Sequence, residues 1–248
     1  GILIDGFRLP NCFDTTYNYP YYGEFLERYG FVKAKDYFAY SMDLSNDDVM
    51  RSKLSWGRRY ITRIKERTAF ETRCVTPESL RDDVEIIMEI YNDAWSSNWG
   101  FLPLTQAEVE GLAGSLKMFY DPGLVRLAFV SGEPAAMLGI IPDPNWCFRP
   151  LWKLYYDRDI FRVSRLLVGR RGIKRLRWFF FGVKQRFRNL GADMLLTVEA
   201  LEYYLTRPNY TSIEGSLILE DNWQTIKALE TIGMRRTKTW RIYDLPLK

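Results

Sequence analysis

Apolar residues along this chain follow two periods, and the switches between them mark the elements. Leu80, Val84, Ile87, Ile90, Tyr91 and Ala94 recur near helical spacing, which predicts a helix over 78–95. Runs rich in β-branched and aromatic residues predict strands at 2–7, 31–44, 70–75, 124–130, 176–183 and 212–220. A further strand at 135–142 pairs with 124–130 across the tight turn "SGEP". Helices are expected at 20–29, 46–67, 105–120, 192–205 and 222–232. Gly30 and Gly233 stop two of them, Asn222 caps the last, and Ser45/Asp48 and Thr105/Glu108 form box-like starts. Two short strands should close the chain after Gly233. The stretches 95–104 and 143–174 show neither period. From residue 70 the order reads β-α-α-β-β-β-α-β-α-β(β), an α+β class.

The pattern also repeats. Residues 25–44, "FLERYGFVKAKDYFAYSMDL", laid over 228–247, place Leu26 on Leu229, Glu27 on Glu230 and Gly30 on Gly233. Lys35 falls on Lys238, Tyr40 on Tyr243 and Leu44 on Leu247. This points to an internal repeat of a helix, a glycine stop and a strand. The chain opens on Gly1 with "GILIDGF", which reads as a strand beginning mid-fold and suggests a fragment of a longer protein.

Composition narrows the chemistry. Of 248 residues, 47 % are hydrophobic and 27 % charged, enough apolar content for a substantial core. Histidine is absent, which excludes Ser–His–Asp and Cys–His catalysis, His-ligated zinc and a His general base. Cys12, Cys74 and Cys147 lie far apart and read as reduced thiols, with no metal knot, in a cytoplasmic protein. A net charge of +4 suits an anionic cofactor or lipid surface; no nucleic-acid motif accompanies it, and none is expected as a partner. The cations of 46–67 (Arg51, Lys53, Arg58, Arg59, Arg63, Lys65, Arg67) read as a solvated linker helix.

One junction carries candidate chemistry. The strand ending at Val183 runs into "KQRFRNLGAD", with Lys184, Arg186 and Arg188 ahead of Gly191 and the start of a helix. Consecutive amides at a helix N-terminus beside cations make an anion seat suited to a pyrophosphate. This stretch resembles the coenzyme A loop of the GNAT acyltransferase superfamily, Q/R-x-x-G-x-G/A after a strand ending in Val. Phe187, Arg188, Gly191 and Ala192 follow that pattern; Gln185 and Asp193 depart from it. Asn222 followed by "LETIGM" resembles the family's second motif, with Leu229 where many members carry a Tyr that protonates the leaving thiolate. "WSSNWGFLPL" (95–104) and "LEDN" (219–222) are similar to motifs of a bacterial subset built as tandem halves.

The resemblance implies a mixed, mostly antiparallel sheet flanked by helices, with strands 176–183 and 212–220 splaying apart at one end. Residues 1–45 would be the C-terminal part of a first GNAT-like half, 46–67 a linker helix and 68–248 the acyl-CoA domain. Acyl-CoA or acetyl-CoA, with acyl carrier protein as an alternative carrier, would lie in the splay. The contacts would come from Phe181, Val183, Arg186, Arg188, Asn189, Leu190, Gly191, Ala192, Asp193 and Asn222. An amine would attack the thioester directly, with Glu220 and then Asp221 as candidate bases. Trp95, Asn98, Trp99 and Phe101 would meet substrate. The alternatives are a small-amine N-acetyltransferase or an acyl-CoA-binding module without turnover. The aromatic and cationic stretch 146–181 has two readings: an insertion packed on the sheet, or a surface resting on anionic lipid at the inner membrane. The second favours a long acyl chain and a lipid-like amine such as a sphingoid base, in a groove between this insertion and Trp95, Trp99 and Phe101.

Overall fold

The computed structural model describes residues 1–116, 121–147, 167–207 and 209–246. The strands are β1 (Ile2–Asp5), β2 (Val32–Asp43), β3 (Phe70–Cys74), β4 (Val125–Val130), β5 (Glu133–Pro142), β6 (Arg175–Val183), β7 (Ser212–Leu219) and β8 (Arg235–Asp244). The helices are α1 (Tyr21–Tyr29), α2 (Asp47–Lys65), α3 (Leu80–Trp95), α4 (Gln106–Leu116), α5 (Ala192–Leu205) and α6 (Trp223–Thr231). The order from β3 onward is the one the apolar pattern predicts. Most of the stretch 146–181 before β6, including Trp152, Tyr155, Tyr156 and Phe161, lies outside the described residues.

Two local expectations are corrected. The chain closes on one strand, because register shifts at Lys33/Lys35 and Ala39/Tyr40 bend the β2–β8 ladder without interrupting it. Helix α2 is capped by Asn46, whose side chain accepts from Val49 N at 3.1 Å, while Ser45 Oγ donates to Asp43 at 2.6 Å. The other two caps form as the sequence suggests: Thr105 with Glu108, and Asn222 accepting from Thr225 N at 3.2 Å.

The eight strands form one sheet in the order β1-β8-β2-β7-β6-β5-β4-β3, and only β6 and β7 run parallel. One face carries α5, α2 and α6. Leu138, Ile140, Leu176 and Ile213 of the sheet pack there with Leu196 and Ala200 of α5, Met50 of α2 and Leu229 of α6. The other face carries α3, whose Ile90 packs on Leu127 and Met137. Helix α5 has little polar surface because α2 covers its outer side: Leu54 and Ile61 of α2 meet Leu195 and Val198 of α5. Helix α2 is therefore half core. Its cations other than Lys53 occupy the exposed face, and the reading of a purely solvated linker is corrected by Met50, Leu54, Gly57 and Ile61, all buried.

The sequence repeat has a geometric counterpart. Tyr37 and Trp240, equivalent in the two repeats, stand directly opposite each other in the β2–β8 ladder, as a local two-fold axis requires. Tyr40 donates to Glu230 at 3.3 Å, and its equivalent Tyr243 donates to Glu27, the equivalent of Glu230, at 2.9 Å. Leu3 faces Trp240 where Leu219 faces Tyr37. The repeat thereby extends to β1 and β7, with "ILIDG" (2–6) matching "ILEDN" (218–222). Each strand after the glycine stop lies between strands of the other repeat: β2 sits between β7 and β8.

Candidate functional site

Strands β6 and β7 pair from Arg175↔Ser212 to Trp178↔Gly215 and then separate. Above that point β6 is held by β5, with Leu138↔Phe181, and β7 by β2, with Tyr37↔Leu219. A gap opens between them, as the sequence resemblance implies. Lys184 N donates to the Ala135 carbonyl at 2.9 Å. By alternation, Phe181 and Val183 then direct their backbone polar groups away from β5, into the gap. Trp95, at the end of α3, donates its indole N–H to the Phe181 carbonyl at 3.0 Å. Helix α3 comes this close because Gly182 has no side chain; a Cβ there would lie 3.1 Å from that of Ala94.

The loop from β6 to α5 ends at the head of this gap. Asn189 (φ 66°) and Gly191 (φ 90°) are left-handed. Gly191 is required twice over: a Cβ there would also lie 2.7 Å from Ile64 Cδ1 of α2. No side chain caps α5, so no side-chain acceptor takes up its first amides, although Gly191 and Ala192 are themselves buried. Among the cations, Lys184 is buried and paired with Glu89, and Arg186 pairs with Glu133 and stacks on Phe187 at 4.6 Å. Arg188 donates to the Ala94 carbonyl at the C-terminus of α3 at 2.8 Å. Gln185 N donates to Asp93 at 2.6 Å, which ties the same loop to α3. Asn189 is exposed, and Leu190 and Asp193 are half-buried beside it.

Glu220 and Asp221 follow the end of β7, and both turn toward β2. Glu220 meets Lys33 Nζ at 2.5 Å and accepts from Asp36 N at 3.2 Å; Asp221 meets Lys35 Nζ at 2.6 Å. The hydrogen bonds to Glu220 and then to Asp36 raise the Lys33 pKa, and the Lys35 ammonium lowers that of Asp221. Both carboxylates line a cleft of about 770 Å³ with Tyr40, Trp223 and Arg236. Asn222 uses its side-chain oxygen as the α6 cap, and Leu229 is packed in the core.

The structure thus gathers Trp95, Phe181 and Val183 at the gap and residues 186–193 at its head. Phe101 reaches the same region through Tyr91, which lies 4.5 Å from Trp95 and 5.8 Å from Phe101 between ring centroids. Asn98 lends its backbone to the turn, and Trp99 is exposed. Sequence reasoning missed Lys33 and Lys35, the counter-ions supplied by the first repeat. The repeat itself held the signal, since Lys35 matches Lys238, but the exchange of strands between repeats did not show in it.

No family model matches the chain. It is 30 % identical over 253 residues to the bacterial ceramide synthase of Caulobacter vibrioides, covering 100 % of this chain and 63 % of that protein. It is 28 % identical over 251 residues to protein YghO of Escherichia coli, covering 98 % and 62 %. The chain thus spans about three-fifths of the length of these curated relatives. Among solved structures it is similar to a tandem GNAT protein from the clavulanic acid biosynthesis pathway, with a TM-score of 0.55 and 13 % identity over 95 % of this chain and 60 % of that one. A GCN5-related N-acetyltransferase from Sphaerobacter thermophilus gives a TM-score of 0.52 and 14 % identity over 89 % and 54 %. These likenesses, together with the splayed parallel pair inside an otherwise antiparallel sheet, establish that the chain has the GNAT fold.

Proposed function

We propose that this chain is the catalytic part of an N-acyltransferase that moves an acyl group from an acyl-CoA thioester to an amine. The observation that carries this is the β6–β7 gap with the uncapped α5 N-terminus at its head. The pyrophosphate would rest on the amides of 191–193 with Arg188 beside them, and the pantetheine arm on the open edge of Phe181 and Val183. The amine nitrogen attacks the carbonyl carbon, the C–S bond breaks, and the electron pair leaves on sulfur. Backbone amides at the gap stabilise the oxyanion. Glu220, beyond the end of β7, takes the proton lost by the amine through a chain of waters.

Residues 1–45 are read as the end of a first GNAT-like half, 46–67 as the connecting helix and 68–248 as the acyl-CoA domain; the crossed Tyr40–Glu230 and Tyr243–Glu27 hydrogen bonds support this. A long acyl chain and a lipid-like amine are the proposed substrates, a reading supported by the likeness to a relative named bacterial ceramide synthase. The same reading gives the protein a cytoplasmic place with peripheral contact at anionic lipid. Binding without turnover is the second reading, favoured by the core position of Leu229 and the ion pairs on both carboxylates.

The test is thiol release from acetyl- to palmitoyl-CoA against small amines and sphinganine, with sedimentation on anionic vesicles alongside. The first reading expects amine-dependent thiol release, and vesicle binding that falls with salt. Tight acyl-CoA binding with no release for any amine would select the second reading.

A further inference from the structure

Beneath α2, on the α5 face of the sheet, lies a cavity of about 330 Å³. It runs along the inner side of α5 from Met194, one turn past Gly191, to Tyr204. Ten residues of helix make this about 15 Å long. Met50 and Trp56 of α2 roof it, and Leu176 and Ile213 floor it where β6 and β7 are still paired. It therefore extends past the gap, beyond the reach needed by a short acyl group.

Four of the polar side chains in the wall already have partners in the protein. Lys53 Nζ donates to the Ile232 carbonyl at 2.6 Å, Thr197 to Asp193 at 2.8 Å, Thr231 to Lys227 at 2.7 Å and Tyr204 to Leu44 at 2.7 Å. Trp178, the last paired residue below the gap, also lines the cavity, and its indole N–H is buried with no partner among the described residues. An unmade buried donor is costly, and an apolar cavity does not hold water well. The lining suits an apolar occupant with one acceptor near Trp178.

We propose that this cavity takes the alkyl tail of the donor thioester, with the thioester carbonyl at the Trp178 end. At roughly 30 Å³ per water-sized group, the volume accommodates about eleven carbons. This rests on the acyl-thioester reading and gives its medium- to long-chain acyl group a place in the fold. It also moves the tail away from the Trp95, Trp99 and Phe101 groove to the opposite face of the sheet, where Trp99 plays no part.

Calorimetry with acetyl-, octanoyl-, lauroyl- and palmitoyl-CoA tests it on the intact chain, on Ala200→Phe, which fills the cavity, and on Leu201→Ala, which enlarges it. In the parent, affinity should climb with chain length and level off near lauroyl. Ala200→Phe should lower lauroyl-CoA affinity relative to acetyl-CoA by roughly tenfold, the worth of about two buried methylenes. Leu201→Ala should move the plateau to longer chains. A diazirine-bearing palmitoyl-CoA should label peptides of α2 and α5 in the parent protein, a readout that needs no variant. A flat chain-length profile with acetyl-CoA bound, or labelling confined to 95–104, overturns the pocket and leaves the acyltransferase reading intact. Palmitate binding as tightly as palmitoyl-CoA overturns the donor assignment. Failure of CoA itself to bind overturns both.

Discussion

Glu220 shows how one side chain carries two demands. It follows the end of β7, turned toward β2, and it is also the anionic end of a network from Lys33 to Asp36 to Arg241. Glu220→Gln keeps the shape and removes the base, so turnover should fall about a hundredfold while acyl-CoA affinity holds. Unchanged turnover at saturating substrate would take Glu220 out of the reaction. Asp36 lies at the centre of the same network. Burial alone would raise its pKa, but hydrogen bonds from Arg241 and Lys33 outweigh that and leave it lowered. Its contribution to stability is therefore complete above the unfolded carboxylate value of about 4 and is lost as pH falls through the lower folded value. Asp36→Asn should cost about 2 kcal/mol at neutral pH, toward the low end for a broken buried pair because Arg241 is partly exposed. It should also flatten the acid limb of a denaturation curve; an unaltered acid limb would show that the pair adds nothing.

At the scale of elements, the sequence was most readable where the signal is local. The α5 boundaries, the Gly30 and Gly233 stops and the Asn222 cap depend on a few neighbouring residues, and all appear in place. The buried side of α2 was hidden because its six cations dominate the composition, while Met50, Leu54, Gly57 and Ile61 at helical spacing carry the packing. Gly57 is the clearest mark of that role. A Cβ there would lie 2.5 Å from Val198 Cγ2, and a β-branched residue in a helix has little rotamer freedom to yield. Gly57→Ala should lose about 1–3 kcal/mol by overpacking, despite the better helix propensity of Ala. A gain in melting temperature would mean that α2 is only loosely attached.

At the scale of the molecule, sequence alone could show that the chain repeats itself but not that the repeats exchange strands. Pairing between residue 37 and residues 219 and 240 leaves no local trace, since it is fixed only when the whole sheet closes. The structural consequence is strong: β2 is the only link between β7 and β8 in the sheet order. A chain of residues 46–248 should therefore lack cooperative thermal unfolding and a native near-ultraviolet dichroism signal, although it contains the whole acyl-CoA loop. Native-like unfolding of that shortened chain would contradict the exchange.

If the β6–β7 gap and the α5 N-terminus hold the donor, calorimetric titration of acetyl-CoA into the intact chain should show saturable one-to-one binding. Arg188→Glu should lose about tenfold or more in affinity, because a carboxylate then opposes the pyrophosphate at the helix N-terminus. Equal affinity in both proteins, or no binding to the parent at millimolar acetyl-CoA, would mean that the donor does not bind there.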